Sequence, residues 1–362
     1  MARNRIIYQS EALFVGQTGD TSPQQLHRVQ SANYSFELAR TDINQFGQLA
    51  AIDRIILEQP TVSLDFDYYP TTGDNEDEIG FDVGGTSALS KLLSGSSPGA
   101  ANRRDVHNYY ITTVGEGDDS VGSANTEISG VVGIGNGFLS SYSVEGSVGD
   151  FVSASVSVEA LNLTYESTSA NSVANPAVTP EDGTAVGGNV TMQAAAHGTG
   201  AGIPMALRPG DVNVSIPQSG ALGLDTGDLK VQNFSVSFDM SREDIQKLGS
   251  RFAYAKEIEF PAAATADVSS IIGDFGSADK GVEDIINEGD QEFDFVVECE
   301  GANIGAPGTT VGMKFTLKGA KLNSHSVSSS VGDNKSLDLS FETQIGGPQD
   351  TDHGIKMETN AT

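Results

Sequence analysis

The chain has 362 residues, 38% of them hydrophobic, with 42 glycines and no tryptophan. That make-up favours short strands and turns over long helices and, at roughly 100–200 residues per domain, two or three domains. Against 49 Asp plus Glu stand 20 Lys plus Arg, a formal net charge of −29, which excludes recognition of nucleic acid by cations clamped on phosphates. The single cysteine, Cys299, excludes an intrachain disulfide and a thiolate metal cluster.

Residues 6–16 are apolar enough for a first strand, and Gln9, Ser10 and Glu11 break the run before it could serve as a signal-peptide core. No stretch is long and apolar enough for a membrane helix, so the expectation is a soluble product made in a cytoplasm, with no membrane partner. Residues 17–28 read as a loop. In 29–47, Tyr34, Phe36 and Leu38 alternate with Ser35, Glu37 and Ala39, the period of a strand with one buried face. The polar residues from Arg40 onward predict a helix of about two turns ended by Gly47. A return strand follows over 62–68, with Val62, Leu64, Phe66 and Tyr68 on one face and Asp65 and Asp67 on the other. The run Asp74, Glu76, Asp77, Glu78 lacks the distal carboxylate of a calcium loop and reads as a solvated acidic loop.

Residues 83–125 are loop-rich around an apolar island at 107–114. The glycines of 127–138 read as a hairpin, because nothing after them opens a helix as a nucleotide loop requires. Alternating strands follow at SASVSVEAL and, much later, SLDLSFETQ, with Ala154, Val156, Val158 and Leu337, Leu339, Phe341 facing inward. Residues 167–202 are rich in Ser, Ala, Gly, Thr and Pro and read as a linker with room for one strand at 189–193. LRPGDVNVSIP should be the first strand of what comes next, Cys299 a small buried hydrophobe, and the tail from 348 aperiodic.

Two internal matches organise this succession. VQSANYSFELARTDINQFG at 29–47 returns as VQNFSVSFDMSREDIQKLG at 231–249, so that Arg40, Asp42, Ile43 and Gly47 recur as Arg242, Asp244, Ile245 and Gly249. LSSYSVEGSVGD at 139–150 returns as LNSHSVSSSVGD at 322–333, where Ser141, Gly149 and Asp150 recur as Ser324, Gly332 and Asp333. Repeats at fixed spacing signify duplication of a structural unit. The expected organisation is a first unit at 1–166, the linker 167–202, a second unit at 203–347 and a tail at 348–362. What recurs belongs to strand faces, turns and a predicted helix start, so Arg40 and Arg242 read as salt-bridge or subunit-contact residues in preference to catalytic ones. The five histidines are scattered and no nucleophile, metal or phosphate-loop motif is present, so neither an enzyme nor a cofactor is expected.

A strand leading into R-x-D-I-x-x-hydrophobic-Gly, a return strand after Pro60 or Pro261, and the late Ser-x-Ser-Val…Ser-Val-Gly-Asp block resemble the tail tube proteins of tailed bacteriophages. The resemblance implies a mainly β fold: tandem β-sandwich or half-barrel units, each with a short flanking helix. It also implies a trimeric, pseudo-hexameric ring, as in the duplicated tube proteins of some long-tailed siphophages. Stacked rings would make a virion tail through which DNA passes without sequence-specific binding, assembled in the host cytoplasm. The implied partners are other copies of the chain and the tape-measure, terminator and distal tail proteins. Carboxylates lining such a channel would repel DNA, and Asp65 and Asp67 are the lumen candidates. A single-ring tail terminator or distal hub, and a non-viral β-sandwich adhesin, are the alternative readings.

Overall fold

The computed structural model describes residues 11–56, 59–93, 105–115, 130–167, 172–180, 182–193, 203–204, 206–215, 229–250, 252–253, 255–272, 292–304, 310–329 and 334–359. In chain order these form β1 (Glu11–Gln17), β2 (Gln24–Gln25), β3 (Val29–Glu37), β4 (Arg40–Ile43), β5 (Asp53–Ile56), β6 (Thr61–Tyr68), α1 (Asp74–Glu78), α2 (Ser90–Leu93), β7 (His107–Thr113), β8 (Gly130–Ser147), β9 (Ser153–Ala160), β10 (Asn162–Glu166), β11 (Ser172–Ala174) and β12 (Asn189–Thr191). There follow β13 (Ile203–Pro204), β14 (Val212–Ser215), β15 (Leu229–Asp239), β16 (Arg242–Ile245), β17 (Ala255–Ile258), β18 (Ala263–Ile272), β19 (Phe293–Ile304), β20 (Thr310–Ser328), β21 (Ser336–Gln344) and β22 (Gly354–Thr359). The fold is mainly β, as the composition predicts.

The central element is an antiparallel sheet in the order β3-β6-β9-β8-β15-β18-β21-β20. Its inner strands alternate buried and open residues. Val62, Leu64, Phe66 and Tyr68 are buried on one face, with Ala154, Val156 and Val158 beside them and Leu337, Leu339 and Phe341 further along, as predicted. A second layer covers that face. It is built from β1, β7, β10 and the first half of β8, and again from β14, β19, β22 and the first half of β20. The long strands β8 and β20 belong to both layers. Each ladder shifts register between the two, at Leu139/Ser141 and at Leu322/Ser324, where an extra residue lets a strand bend from one sheet into another. One core cluster joins the layers, running from Val15, Tyr109 and Ile134 through Phe66 and Tyr142 to Phe238, Phe295, Phe315 and Met357. Cys299 lies in it, fully buried as expected, and burial pushes its thiol up to about 12.

The registers recur at fixed offsets. Tyr34 faces Leu64 and Val236 faces Ala266, each 202 residues on. Leu139 faces Val158 and Leu322 faces Phe341, 183 residues on. The ladder joining these pairs keeps both offsets, since Val62 faces Ala160 and Ala264 faces Thr343.

Several expectations are corrected. No helix follows Arg40 or Ser241. Arg40–Ile43 pairs with Asp53–Ile56, and Arg242–Ile245 with Ala255–Ile258, as two-stranded arms. A two-turn helix without a face to pack is marginal in water, whereas the arms gain cross-strand pairs such as Asp42–Arg54 at 3.0 Å. Gly47 and Gly249 do take the left-handed conformation, with φ of 86° and 91°, but at the arm tips beside fully exposed Phe46 and Leu248.

The buried face expected at Tyr34 and Phe36 is open, with exposures of 40% and 49%, because β3 has a neighbour on one side alone among the described strands. The glycines of 130–137 lie inside one long strand instead of a hairpin. A Cβ at Gly135 would come 2.2 Å from the Pro176 carbonyl oxygen and one at Gly137 would meet Tyr109, so close approach of neighbours is what selects glycine there.

The acidic run 74–78 is not a solvated loop. It forms α1 and buries Glu76, which accepts hydrogen bonds from the hydroxyls of Tyr68 (2.8 Å) and Tyr142 (3.1 Å) at Oε1. Burial raises the Glu76 pKa above the usual carboxylate range, and the Tyr68 and Tyr142 hydroxyls oppose that shift. Nor is the stretch from 348 aperiodic: β22 pairs with β20 and buries Ile355 and Met357. Of the segment 167–202, β11 and β12 form a hairpin whose Val173, Val190 and Met192 cover Ala12, Phe14, Tyr110 and Val131. Gly332 and Asp333 lie outside the described residues, as do 1–10.

Candidate functional site

The second face of the central sheet is mainly polar. On β6, Asp65 accepts a hydrogen bond from Ser157 Oγ (2.7 Å), and Asp67 accepts from Ser31 (2.7 Å) and Ser155 (2.6 Å). Hydroxyls pair across the strands in the same way, Ser35 with Ser63 at 2.7 Å, Ser237 with Thr265 at 2.9 Å and Ser328 with Ser336 at 2.6 Å. Ser141 sits on this face between Ser157 and Asp239, and Ser324 sits opposite Ser340. Short hydroxyl side chains can satisfy a carboxylate without neutralising it.

The charge on this face is predominantly negative. Over the paired residues 31–37, 61–67, 153–159, 141–147, 233–239, 263–269, 336–342 and 324–328, the carboxylates are Glu37, Asp65, Asp67, Glu145, Glu159, Asp239, Asp267, Asp338 and Glu342. These stretches contain no lysine or arginine, and the cations that meet them stand at strand ends, Lys256 at Glu159 and Lys321 opposite Glu342. A row of like charges on a continuous wall projects a negative potential, felt to about 8 Å in physiological salt. The turn after β8 belongs to the rim of this face. Gly149 turns the chain with φ 105°, and Asp150 Oδ2 accepts from Ser147 Oγ at 3.4 Å.

Both ends of the sheet are unpaired among the described strands. At one end β3 bonds to β6 alone, and at the other residues 321–328 of β20 bond to β21 alone. In the middle, β8 and β15 present the corresponding pair of edges to each other and are joined, with Val236 opposite Val144 and Phe238 opposite Tyr142.

The arms differ in the same way. Arm two, β16–β17, lies against the first half of the chain. Arg242 Nη1 reaches Asp105 Oδ2 at 3.4 Å with both side chains buried, and its guanidinium lies 5.0 Å from the centroid of the Phe138 ring. Lys256 Nζ bridges Glu159 (2.7 Å) and Asp244 (3.5 Å), while Gln59 hydrogen-bonds both Asp244 and the Ala253 amide. Arm one, β4–β5, is exposed along its whole length. Arg40, Ile43 and Gly47 share that exposure, and Asp42 pairs with Arg54, not with Arg40. Of the repeated residues, the structure therefore gathers Arg242 and Asp244 into a docked contact. Their counterparts Arg40 and Asp42 are left in solvent. Ile245 pairs with Ala255 across arm two, as Ile43 pairs with Asp53 across arm one.

Sequence reasoning missed Lys256, Arg54, Glu159 and Glu342. The signal was present: a basic residue stands at both 54 and 256, and a glutamate at both 159 and 342, at the offsets already established.

No protein-family model matches the chain, and no curated protein matches it. Among solved structures, a chain in the cryo-EM structure of the anti-feeding prophage (AFP) baseplate, sixfold symmetrised, is similar over 46% of this chain and 97% of its own. The identity is 10% and the TM-score 0.31, a level at which the similarity carries no argument.

Proposed function

We propose that this chain is a structural subunit whose copies close into a ring, and that the rings stack into a hollow tube with the serine-and-carboxylate face turned to the channel. The observation that carries this reading is the central sheet itself. It has an apolar face covered except at its end strands, a face of nine carboxylates met by cations only at Glu159 and Glu342, and an edge at each end that no described strand pairs. Unpaired edges are liabilities that closure removes, and identical heterologous contacts that close by rotation make rings.

A wall of that charge suits the passage of a polyanion. Phosphates meet mostly carboxylates and bound hydroxyls, with few cations at which to rest, so DNA slides instead of sticking. Asp65 and Asp67 are then lumen residues, and Asp267, at the matching position in β18, is a third. Joined to the sequence resemblance, this is the role of a bacteriophage tail tube protein carrying two tandem units per chain, 1–166 and 203–347. The recurrent registers at 202 and 183 residues support the tandem reading. Three chains then make a pseudo-sixfold ring in the virion tail, acting mechanically and not as an enzyme. Its neighbours would be the tape-measure, terminator and distal tail proteins.

Negative-stain electron microscopy of the concentrated, purified chain tests this. Uniform tubes with a central channel are expected. Rings that never stack would move the assignment to a terminator or distal hub, and a monomer at every concentration would sink the assignment altogether.

A further inference from the structure

The chain contains a worked example of its own joint. Strand β15 is held between β18 and β8, and its counterpart β3 has β6 on one side and nothing on the other among the described strands. Strand β8 is held between β9 and β15, and residues 321–328 of its counterpart β20 have β21 alone among the described strands. The two unpaired edges are thus the positional equivalents of the two edges that meet inside the chain. Resting on the ring reading above, we infer that β3 of one copy adds antiparallel to β20 of a second copy, with Tyr34 opposite Val327 and Phe36 opposite His325, while arm one seats Arg54 beside Glu342 of that copy.

Three observations point to a second copy of this chain as the occupant. The register follows by transposition from Val236 opposite Val144 and Phe238 opposite Tyr142, at the offsets that the matched ladders of the central sheet obey. The large apolar side chains left exposed on these edges, Tyr34, Phe36 and Val327, lie at the facing positions that this register brings together. Charge complementarity supplies the third. Lys256 bridges Asp244 and Glu159 within the chain. The residues at the corresponding positions are Arg54, Asp42 and Glu342, and the Arg54–Asp42 half of that bridge is already formed at 3.0 Å. Glu342, half-buried on β21, stands opposite Lys321 across the ladder and accepts a hydrogen bond from Asn323 Nδ2 at 3.1 Å.

The transposition also shows what the new joint lacks. Lys321 stands where Phe138 receives Arg242, and Pro261 stands where Gln59 binds arm two. The joint between copies therefore relies on the strand ladder and on Arg54, and it should come apart more readily than the joint within the chain.

Cysteine cross-linking of the full chain reads the register directly. Ser237 faces Ser143 inside the chain, so Ser35 should face Ser326 between copies. Directly opposed Cα atoms in an antiparallel pair lie about 4.5–5.5 Å apart, within disulfide reach. Cys299 is fully buried and adds little background. An oxidised mixture of Ser35→Cys chains with Ser326→Cys chains should give a disulfide-linked dimer, with at least about tenfold less when Ser324→Cys replaces Ser326→Cys. Arg54→Glu should raise the concentration needed for assembly about tenfold, and adding Glu342→Arg should restore it. Rings visible by microscopy without the Ser35–Ser326 cross-link, or with the cross-link moved to Ser324, would overturn this inference and leave the ring standing. Chains that sediment as monomers at every concentration would overturn both.

Discussion

The strands β3 and β15 share an alternation, a following arm and a return strand, yet one is a surface and the other a core. Tyr34 and Phe36 are 40% and 49% exposed, whereas Val236 and Phe238, at the same positions, are 1% and 2% exposed. Nothing in the residues themselves makes the difference, since both runs carry a large apolar side chain every second place. Neighbours make it. β15 has β8 on its second edge and β3 has no described strand there, and arm two has the surface around Asp105, Phe138 and Glu159 to lie on where arm one has solvent. A strand's alternation therefore encodes a face that ought to be covered, and the isolated chain covers one of two such faces.

That comparison can be broken experimentally. The largest contrast should come from the paired aromatics. Phe238→Ala removes a ring stacked with Tyr142 and set edge-on to Phe81, and should cost the monomer about 3–5 kcal/mol. Phe36→Ala should cost well under about 1 kcal/mol. Urea unfolding of the two variants below the assembly concentration measures both, and equal losses would contradict the asymmetry. Next come the arginines. Arg242→Ala leaves Asp105 buried without its ion pair and should cost about 3 kcal/mol or more, against roughly 0.5 kcal/mol or less for exposed Arg40→Ala.

The smallest and most diagnostic effect concerns Tyr142, which holds Glu76, while its counterpart His325 lies in the open on β20. Because the folded-state pKa of Glu76 is raised by burial, its contribution to stability is fully present below the unfolded pKa and fades as pH rises through the folded one. Glu76→Gln keeps the acceptor for the tyrosine hydroxyls and cannot ionise. Its melting temperature should exceed that of the parent at neutral pH, with the two curves converging as pH falls below the carboxylate range. A constant difference across that range would mean that Glu76 does not titrate on unfolding.

The strands of the central sheet were legible because period-two alternation is written residue by residue, and Ser-x-Ser-x-Ser runs announced the polar face as clearly as Val156 and Val158 announced the core. The pairing partners were less legible. Arg40 to Ile43 with its nearby carboxylates looked like a helix start because its true partner, Asp53 to Ile56, lies ten or more residues on, beyond any local pattern. Glu76 passed for one more solvated acid. Its two partners are tyrosines 8 residues before it and 66 after it, and no spacing rule connects them. The terminal strand was a missed signal of the simplest kind, since Ile355 and Met357 alternate with Lys356 and Glu358. The acidic wall could be guessed at Asp65 and Asp67. Its extent emerged only when the registers set nine carboxylates on one surface.

The ladder between β8 and β15 has a kinetic meaning of its own. It joins two edges that belong to the same polypeptide, so it closes at a rate set by chain diffusion and does not depend on how many molecules are nearby. In the proposed ring, half of the joints are made when each chain folds, and only the other half wait for an encounter. Assembly then has a lower order in protein concentration than a ring built from separate single units would have. Fewer partly built species are exposed along the way, which suits a subunit that must polymerise on cue and stay dispersed until then.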